Sequence, residues 1–334
     1  MREEIIASNE AGQRLDKYLK KYLQEAQSSF IYKMLRKKNI TLNQKKADGT
    51  EKLNIGDRIV FFLSDDTLAK FQGSNSGVNQ IPIKANYESA YFQLKSRFSI
   101  IYEDDDVLLI CKSAGVLSQK AKDTDISLNE AVIGYLLLTN AIDGKMLQTF
   151  RPSVCNRLDR NTSGIVICGK SLLGLQTMST LLRDRTLHKY YHCIVDGAMT
   201  RKSHLTGYIS KDETKNRVTI YQDRRPGCTS IITNYEPLKN NGKVTLLEVE
   251  LVTGKTHQIR AHLASIGHPI IGDYKYGKKY INDIYKEKFL LKHQLLHAYR
   301  IEFPELKDVC CNLSNRIFFA EAPVVFEKIM EVNE

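Results

Sequence analysis

Between residues 11 and 25, the apolar positions Leu15, Tyr18, Leu19, Tyr22 and Leu23 recur at helical spacing. Ser28 and Ser29 then offer N-cap chemistry for a second short helix over 30–38, with Ile31, Met34 and Leu35 on one side. Residues 40–42 read as a strand, 43–51 as a polar turn, and 58–63, opened by Gly56-Asp57, as a further strand. The pattern predicts a small unit of two helices followed by short strands, ending near residue 64. Residues 65–97 read as a linker, with Gly73-Ser74-Asn75-Ser76-Gly77 as its most flexible run. From residue 98 the pattern changes. Strands are predicted over 99–102, 107–111, 164–168, 188–195, 229–235, 243–251 and 297–303, and helices over 171–184 and 256–265. Strict β-α-β alternation is absent, which argues against a Rossmann-type sheet. The expected class is α+β with a large mixed or antiparallel sheet.

The chain has 334 residues, more than one compact core of ordinary size usually holds, so two domains are expected. No apolar run is long enough to span a bilayer, and Met1-Arg2-Glu3-Glu4 leads into a polar stretch unlike a secretion signal. Seven cysteines, an odd number with no C-x-x-C, suggest reduced thiols rather than a disulfide frame or zinc site. Together these features predict a cytoplasmic protein without membrane contact.

A formal net charge of +11 turns attention to polyanionic partners. Lys33, Arg36, Lys37 and Lys38 gather on the second helix, away from its apolar side, with Lys45 and Lys46 in the next turn. A solvated face carries such charges too. Their concentration on one helix and one turn favours a ridge that binds nucleic-acid phosphates.

Three segments carry candidate chemistry. In Asn156-Arg157-Leu158-Asp159-Arg160-Asn161-Thr162-Ser163-Gly164 a carboxylate sits between two arginines, in a polar loop before a buried strand. Adjacent guanidinium groups would keep such an aspartate ionised. His188-Lys189-Tyr190-Tyr191-His192-Cys193 alternates like a strand and offers a tyrosine, Tyr191, or Tyr190 if the register is shifted by one. The third runs from Thr253-Gly254-Lys255-Thr256-His257-Gln258-Ile259-Arg260-Ala261-His262 to Gly272-Asp273. Its Gly-Lys-Thr is not a P-loop, because Val249 stands where the first glycine is required. His257 and His262 lack a companion ligand at metal spacing, and His293-Gln294-Leu295-Leu296-His297 has Gln294 where a zinc protease has its glutamate, so no metal is expected.

These segments, in this order, resemble the motifs of pseudouridine synthases of the RluA class. The first resembles H-R-L-D-x-x-T-S-G with Asn156 at the first position, the second K-x-Y-x-A-x-V with Cys193 at the usual alanine, and the third G-R-T-H-Q-I-R-x-H-L followed by G-H-P-I-x-G-D. Residues 294–298 match a Q-x-L-H-A stretch that has a structural role in the family. Residues 1–64 resemble the RNA-binding domain named after ribosomal protein S-four, through Arg14-Leu15-Asp16-Lys17-Tyr18-Leu19, residues 37–43 and Gly56-Asp57. The resemblance implies a catalytic domain over 98–325. It also implies Asp159 as catalytic carboxylate, Arg260 as its partner, Tyr191 against the target base, Ile259 beneath it and Arg157 as the arginine that helps displace it. The implied reaction is cofactor-free isomerisation of uridine to pseudouridine by a monomer. The implied substrate is RNA, large-subunit ribosomal RNA before tRNA. The competing expectations are a non-catalytic RNA-binding or ribosome-assembly factor, and a glycoside or nucleoside hydrolase. The latter would need a second carboxylate, such as one of Asp104, Asp105 or Asp106.

Overall fold

The computed structural model describes residues 1–72, 80–144 and 146–332. The N-terminal unit contains β1 (Arg2–Ile5), α1 (Leu15–Tyr22), α2 (Ser28–Arg36), β2 (Ile40–Leu42), β3 (Lys45–Lys46) and β4 (Arg58–Phe61). Its antiparallel sheet has the order β1-β4-β2-β3. Leu15, Leu19, Ile31, Leu35, Ile40, Ile59 and Phe61 form its core, so the helical stripe read from the sequence is the buried face. Ser28 and Ser29 are helical residues rather than caps: Gln27 occupies the N-cap and makes no side-chain capping bond. Asn43 and Gln44 both have positive φ, the backbone twist a tight two-residue hairpin requires, and they turn β2 into β3.

The stretch expected to be a linker contains α3 (Asp65–Gln72) and α4 (Gln80–Leu94). Leu68 and Phe71 of α3 complete the N-terminal core, and α4 lies along α5 (Leu128–Leu138). At Gly134 of α5 a Cβ would stand 2.1 Å from the Tyr87 carbonyl oxygen, so the two helices touch at a position that admits no side chain. Residues 73–77, read as the flexible run, lie outside the described residues.

The second unit comprises β5 (Phe98–Glu103), β6 (Val107–Lys112), α5, α6 (Met146–Thr149), β7 (Ser153–Val154), β8 (Ser163–Gly169), α7 (Leu172–Asp184) and β9 (His188–Asp196). It continues with β10 (Ser203–Asp212), β11 (Arg217–Tyr221), β12 (Thr229–Asn240), β13 (Val244–Leu251), α8 (Gln258–Ser265), α9 (Lys279–Phe289), β14 (Leu296–Glu302), β15 (Ile317–Phe319) and α10 (Val325–Glu331). The main sheet runs β11-β10-β12-β13-β9-β14-β8-β6-β5, with β15 beside β14 and β7 beside β8. Among the described residues β14 and β8 form its parallel pair and the other pairs are antiparallel, so the sheet is mixed and the class is α+β. One apolar layer joins the sheet to α5, α8 and α10, and another joins it to α7 and the segment around Phe303 and Leu313. Phe326, Ile329 and Met330 belong to the first layer, so this unit extends past residue 325.

Ser171, counted with the helix expected over 171–184, is its N-cap: it accepts the Gly174 N–H at 2.9 Å. The units meet along a short seam, where the Leu172 N–H reaches the Asn9 carbonyl at 3.1 Å and the Thr149 hydroxyl meets the Glu10 carboxylate.

Candidate active site

The 156–164 loop enters the central strand β8 and is held from several sides. The Asn156 carboxamide bonds the β8 backbone, donating to Ile165 O at 3.3 Å and accepting Ile167 N–H at 2.8 Å. The Ser118 hydroxyl clamps Leu158, donating to its carbonyl at 3.0 Å and accepting its N–H at 3.1 Å. Gln294 donates to the Thr162 hydroxyl at 2.8 Å. The Ser163 hydroxyl lies 2.8 Å from His297 Nδ1, and His297 Nε2 lies 2.9 Å from the Ala320 carbonyl. That carbonyl can only accept, so His297 carries its proton on Nε2 and receives the Ser163 hydrogen on Nδ1. The 294–298 stretch thus works as structure around the loop. Gly164 has φ +110°, and a Cβ there would sit 2.2 Å from the Ala298 carbonyl oxygen.

Lys112, at the end of β6, is fully buried beneath this loop. Its ammonium lies 2.9 Å from Val116 O, 3.2 Å from Ser113 O, 3.3 Å from Arg160 O and 3.5 Å from Asp159 O. Burial pushes its pKa down to about 7, while the Asp159 charge pulls the other way.

Asp159 accepts Arg260 Nη1 at 2.7 Å, and His257 Nε2 stands 3.7 Å from the same carboxylate oxygen. The other two guanidinium nitrogens form a fork to Asp273, with Nε at 2.7 Å and Nη2 at 2.9 Å. Burial alone would lower the Arg260 pKa, but the Asp273 and Asp159 carboxylates raise it above its ordinary value. Tyr191, from β9, faces the same pocket, where Leu158, Leu251, Ile259 and Leu296 supply apolar wall. Burial first, and the Asp159 charge second, raise the Tyr191 pKa, so the phenol is neutral near pH 7. Tyr190 points to the other side of β9, where the Arg300 guanidinium covers its ring at 3.8 Å. The pocket opens into a cleft of about 890 Å³ lined by Arg157, Arg185, Lys189, Lys211, Lys255 and Lys275, with Asp159 as the one carboxylate in that lining among the described residues.

The protein-family comparison finds a match to the RNA pseudouridylate synthase model over residues 106–265. The chain is 32% identical over 293 residues to the ribosomal large subunit pseudouridine synthase C of Rickettsia felis, covering 86% of this chain and 88% of that protein. It is 28% identical over 304 residues to the protein of the same name from Vibrio cholerae, covering 89% of this chain and 87% of the relative. The chain belongs to the RNA pseudouridylate synthase family. Its enzymatic class is therefore that of an isomerase acting on uridine in RNA. The fold agrees with a solved human structure, RNA Pseudouridylate Synthase Domain Containing 4, at TM-score 0.56 and 18% identity over 72% of this chain and 94% of that one.

Of the residues singled out from the sequence, the structure of the synthase brings Asp159, Tyr191, Ile259 and Arg260 to one pocket, with Arg157 at its edge. The guanidinium on Asp159 is that of Arg260, not those of its sequence neighbours. Arg160 turns to the Gly115 carbonyl at 3.2 Å, and Arg157 is exposed and makes no ion pair among the described residues. Lys33, Arg36, Lys37 and Lys38 are exposed on and just after α2, away from the pocket lining. His262 is buried with Nδ1 2.9 Å from the Thr233 hydroxyl, apart from His257, and the described residues contain no group of three or more His, Cys, Asp or Glu placed to hold a metal. Asp104 organises its own turn by accepting the Asp106 and Val107 N–H groups. No helix among the described residues is long and apolar enough to cross a membrane.

Sequence reasoning gave no role to Lys112, Asp273 or Tyr276. Asp273 was visible as the end of the third motif, but its fork to Arg260 depends on a chain reversal that no local period encodes. Lys112 directly follows the apolar run 107–111, and a lysine at such a boundary carries no local signal of burial.

Proposed function

We propose that this synthase isomerises particular uridines of large-subunit ribosomal RNA, with Asp159 as the carboxylate that acts on the sugar. The N1–C1′ bond of uridine breaks, the base turns, and C5 bonds to the same sugar carbon. Atoms and electrons balance within the nucleotide, so the reaction calls for no cofactor. The observation that carries this reading is the Asp159–Arg260 pair at 2.7 Å on the floor of a basic cleft, walled by Tyr191 and Ile259. Positive character at C1′ during bond cleavage is stabilised or captured by such a carboxylate. The neutral Tyr191 phenol supports a stacking and proton-transfer role.

A uridine reaches a pocket of this kind by leaving its stack, at a cost of a few kcal/mol. Arg157, unpaired at the rim, fits the role of filling the vacated place and holding the flipped nucleotide. The N-terminal unit is read as an S-four-like RNA-binding module whose exposed Lys33, Arg36, Lys37 and Lys38 contact phosphates and tune site choice. The large-subunit target rests on the names of the relatives from Rickettsia felis and Vibrio cholerae. A monomer working in the cytoplasm, where such RNA is made, completes the reading.

The test is pseudouridine mapping of total RNA from cells with and without the gene, complemented by wild type or Asp159→Asn. Ribosomal sites that vanish without the gene and return with wild type alone support the proposal. Sites in tRNA would move the substrate, and sites restored by Asp159→Asn would remove Asp159 from the chemistry.

A further inference from the structure

His257 occupies an unusual place. It is the residue before α8, it has φ +54°, and its ring stands between the Asp159 carboxylate and the phenol of Tyr276. His257 Nδ1 is 2.9 Å from the Tyr276 oxygen, and Nε2 is 3.7 Å from Asp159 Oδ2. An imidazole with a polar group at each nitrogen has two neutral tautomers, and the partners select between them.

The surroundings of Tyr276 make the choice. Its oxygen already accepts the Val218 N–H of β11 at 2.9 Å. A phenol has one proton to give and one oxygen whose acceptor capacity is here engaged, so its hydrogen goes to His257 Nδ1. The imidazole proton is thereby placed on Nε2, the nitrogen that faces Asp159. The Tyr276 ring is itself fixed: the Arg217 and Arg260 guanidinium carbons lie 5.3 and 5.2 Å from its centroid, and its backbone N–H reaches Asp273 Oδ1 at 3.3 Å. Next to it, the Lys275 ammonium donates to the Asn216 carbonyl in the β10–β11 turn at 2.7 Å.

We propose that Tyr276 is a positioning residue of the isomerase: it fixes His257 in the Nε2–H form, which turns a second N–H toward the Asp159 carboxylate beside that of Arg260. The inference rests on the reading of Asp159 as the reacting carboxylate. At 3.7 Å the N–H approaches without a formed bond, so a small shift of the carboxylate toward His257 would convert the approach into a hydrogen bond. The opposite tautomer would aim a lone pair at a carboxylate oxygen and repel it. The contact also ties the β10–β11 hairpin, whose Lys211 and Asn216 line the cleft, to the group that holds Asp159.

The experiment uses the full chain with ¹⁵N-labelled histidine, with the His257 signals assigned by their loss in His257→Asn. Wild type is expected to show His257 protonated on Nε2 and bare on Nδ1 near pH 7.5. Tyr276→Phe, which leaves the Asp159 carboxylate as the remaining bias toward Nε2–H, is expected to show a raised share of the Nδ1–H tautomer and a single-turnover rate on a large-subunit ribosomal RNA transcript lowered about tenfold, with RNA affinity unchanged; a tenfold change corresponds to about 1.4 kcal/mol. His257→Gln, which still offers an N–H toward Asp159, should keep more activity than His257→Ala. A wild-type proton on Nδ1, or a Tyr276→Phe spectrum like wild type, overturns the proposal. A shifted tautomer with an unchanged rate overturns the positioning role. Full activity of Asp159→Asn would instead defeat the reading of Asp159, and the tautomer result would stand apart from it.

Discussion

Arg260 gives one nitrogen to Asp159 at 2.7 Å and commits its other two to Asp273, which is 1% exposed. The orientation of the Asp159 carboxylate is thus set by a second carboxylate that does not line the pocket. Removing one partner of a buried pair leaves the other charge uncompensated, which costs about 3–5 kcal/mol. Asp273→Asn should therefore lower stability by about 3 kcal/mol in urea unfolding and slow single turnover at least about 30-fold. Arg260→Lys keeps the charge but loses the fork, so it should fail to rescue the rate. A wild-type rate in either variant would show that the fork does not position Asp159.

Gly164→Ala should destabilise the protein by about 3 kcal/mol, since a Cβ would meet the Ala298 carbonyl and the backbone is left-handed there. The reading is the urea midpoint at constant slope. A change under about 0.5 kcal/mol would mean that β8 and β14 separate at little cost.

Lys112 should matter through the loop it supports. Lys112→Met keeps the stem volume but leaves the carbonyls of Ser113, Val116, Asp159 and Arg160 without their shared donor. A hydrogen bond contributes about 0.5–1.5 kcal/mol net, or about 1.5–3 kcal/mol when one partner is charged, and with a pKa pushed down to about 7 this amine is charged only part of the time near neutral pH. The expected outcome is a stability loss of about 2 kcal/mol and a larger drop in rate than in RNA affinity. A pure affinity defect would contradict this account.

The exposed cluster on α2 makes an ionic-strength prediction. Replacing Lys33, Arg36, Lys37 and Lys38 with alanine should weaken RNA binding and flatten its dependence on salt. For every phosphate that is no longer neutralised, the logarithmic slope should shrink by about 0.7–0.9. Filter binding between about 50 mM and 200 mM salt reads this directly. An unchanged slope would place the ridge away from the bound RNA.

Acid stability follows from the buried histidines. Burial first, then the neighbouring His297 and Arg300, lower the His192 pKa to about 4 from an ordinary 6.5. Between these values the unfolded chain binds the proton and the folded one does not. Stability should fall as pH drops through 6.5, with the His192 contribution complete below about 4. His192→Gln should flatten the thermal midpoint across that window, and an unchanged slope would assign it to other groups.

Much of this architecture was legible in the chain because the relevant side chains are buried in patterns set by backbone geometry. β6, β8, β9 and β13 appeared as apolar or alternating runs, and α1 and α2 as stripes, since each buries one face or both. α5 was missed because it is apolar nearly all round, which erases the helical period. β10 and β11 were missed because their residues are largely polar and much of the hairpin is exposed. Asp159, Tyr191 and Arg260 stood out through their motifs. The carboxylate that orients Arg260 and the phenol that faces His257 were silent, since both act through contacts made after the turn at residues 272–276.

The position of β14 in the sheet has a consequence for how this protein comes into being. It lies between β8, which carries the Asp159 loop, and β9, which carries Tyr191, yet its residues 296–302 are synthesised well after both. The N-terminal core closes within the first 71 residues and can fold while the ribosome is still extending the chain. The two parts of the large sheet, by contrast, are joined among the described residues through β14, which emerges only after both of them. A nascent chain stopped short of residue 296 would hold Asp159 on one fragment of sheet and Arg260 and Tyr191 with another, so this cluster forms only once β14 is in place.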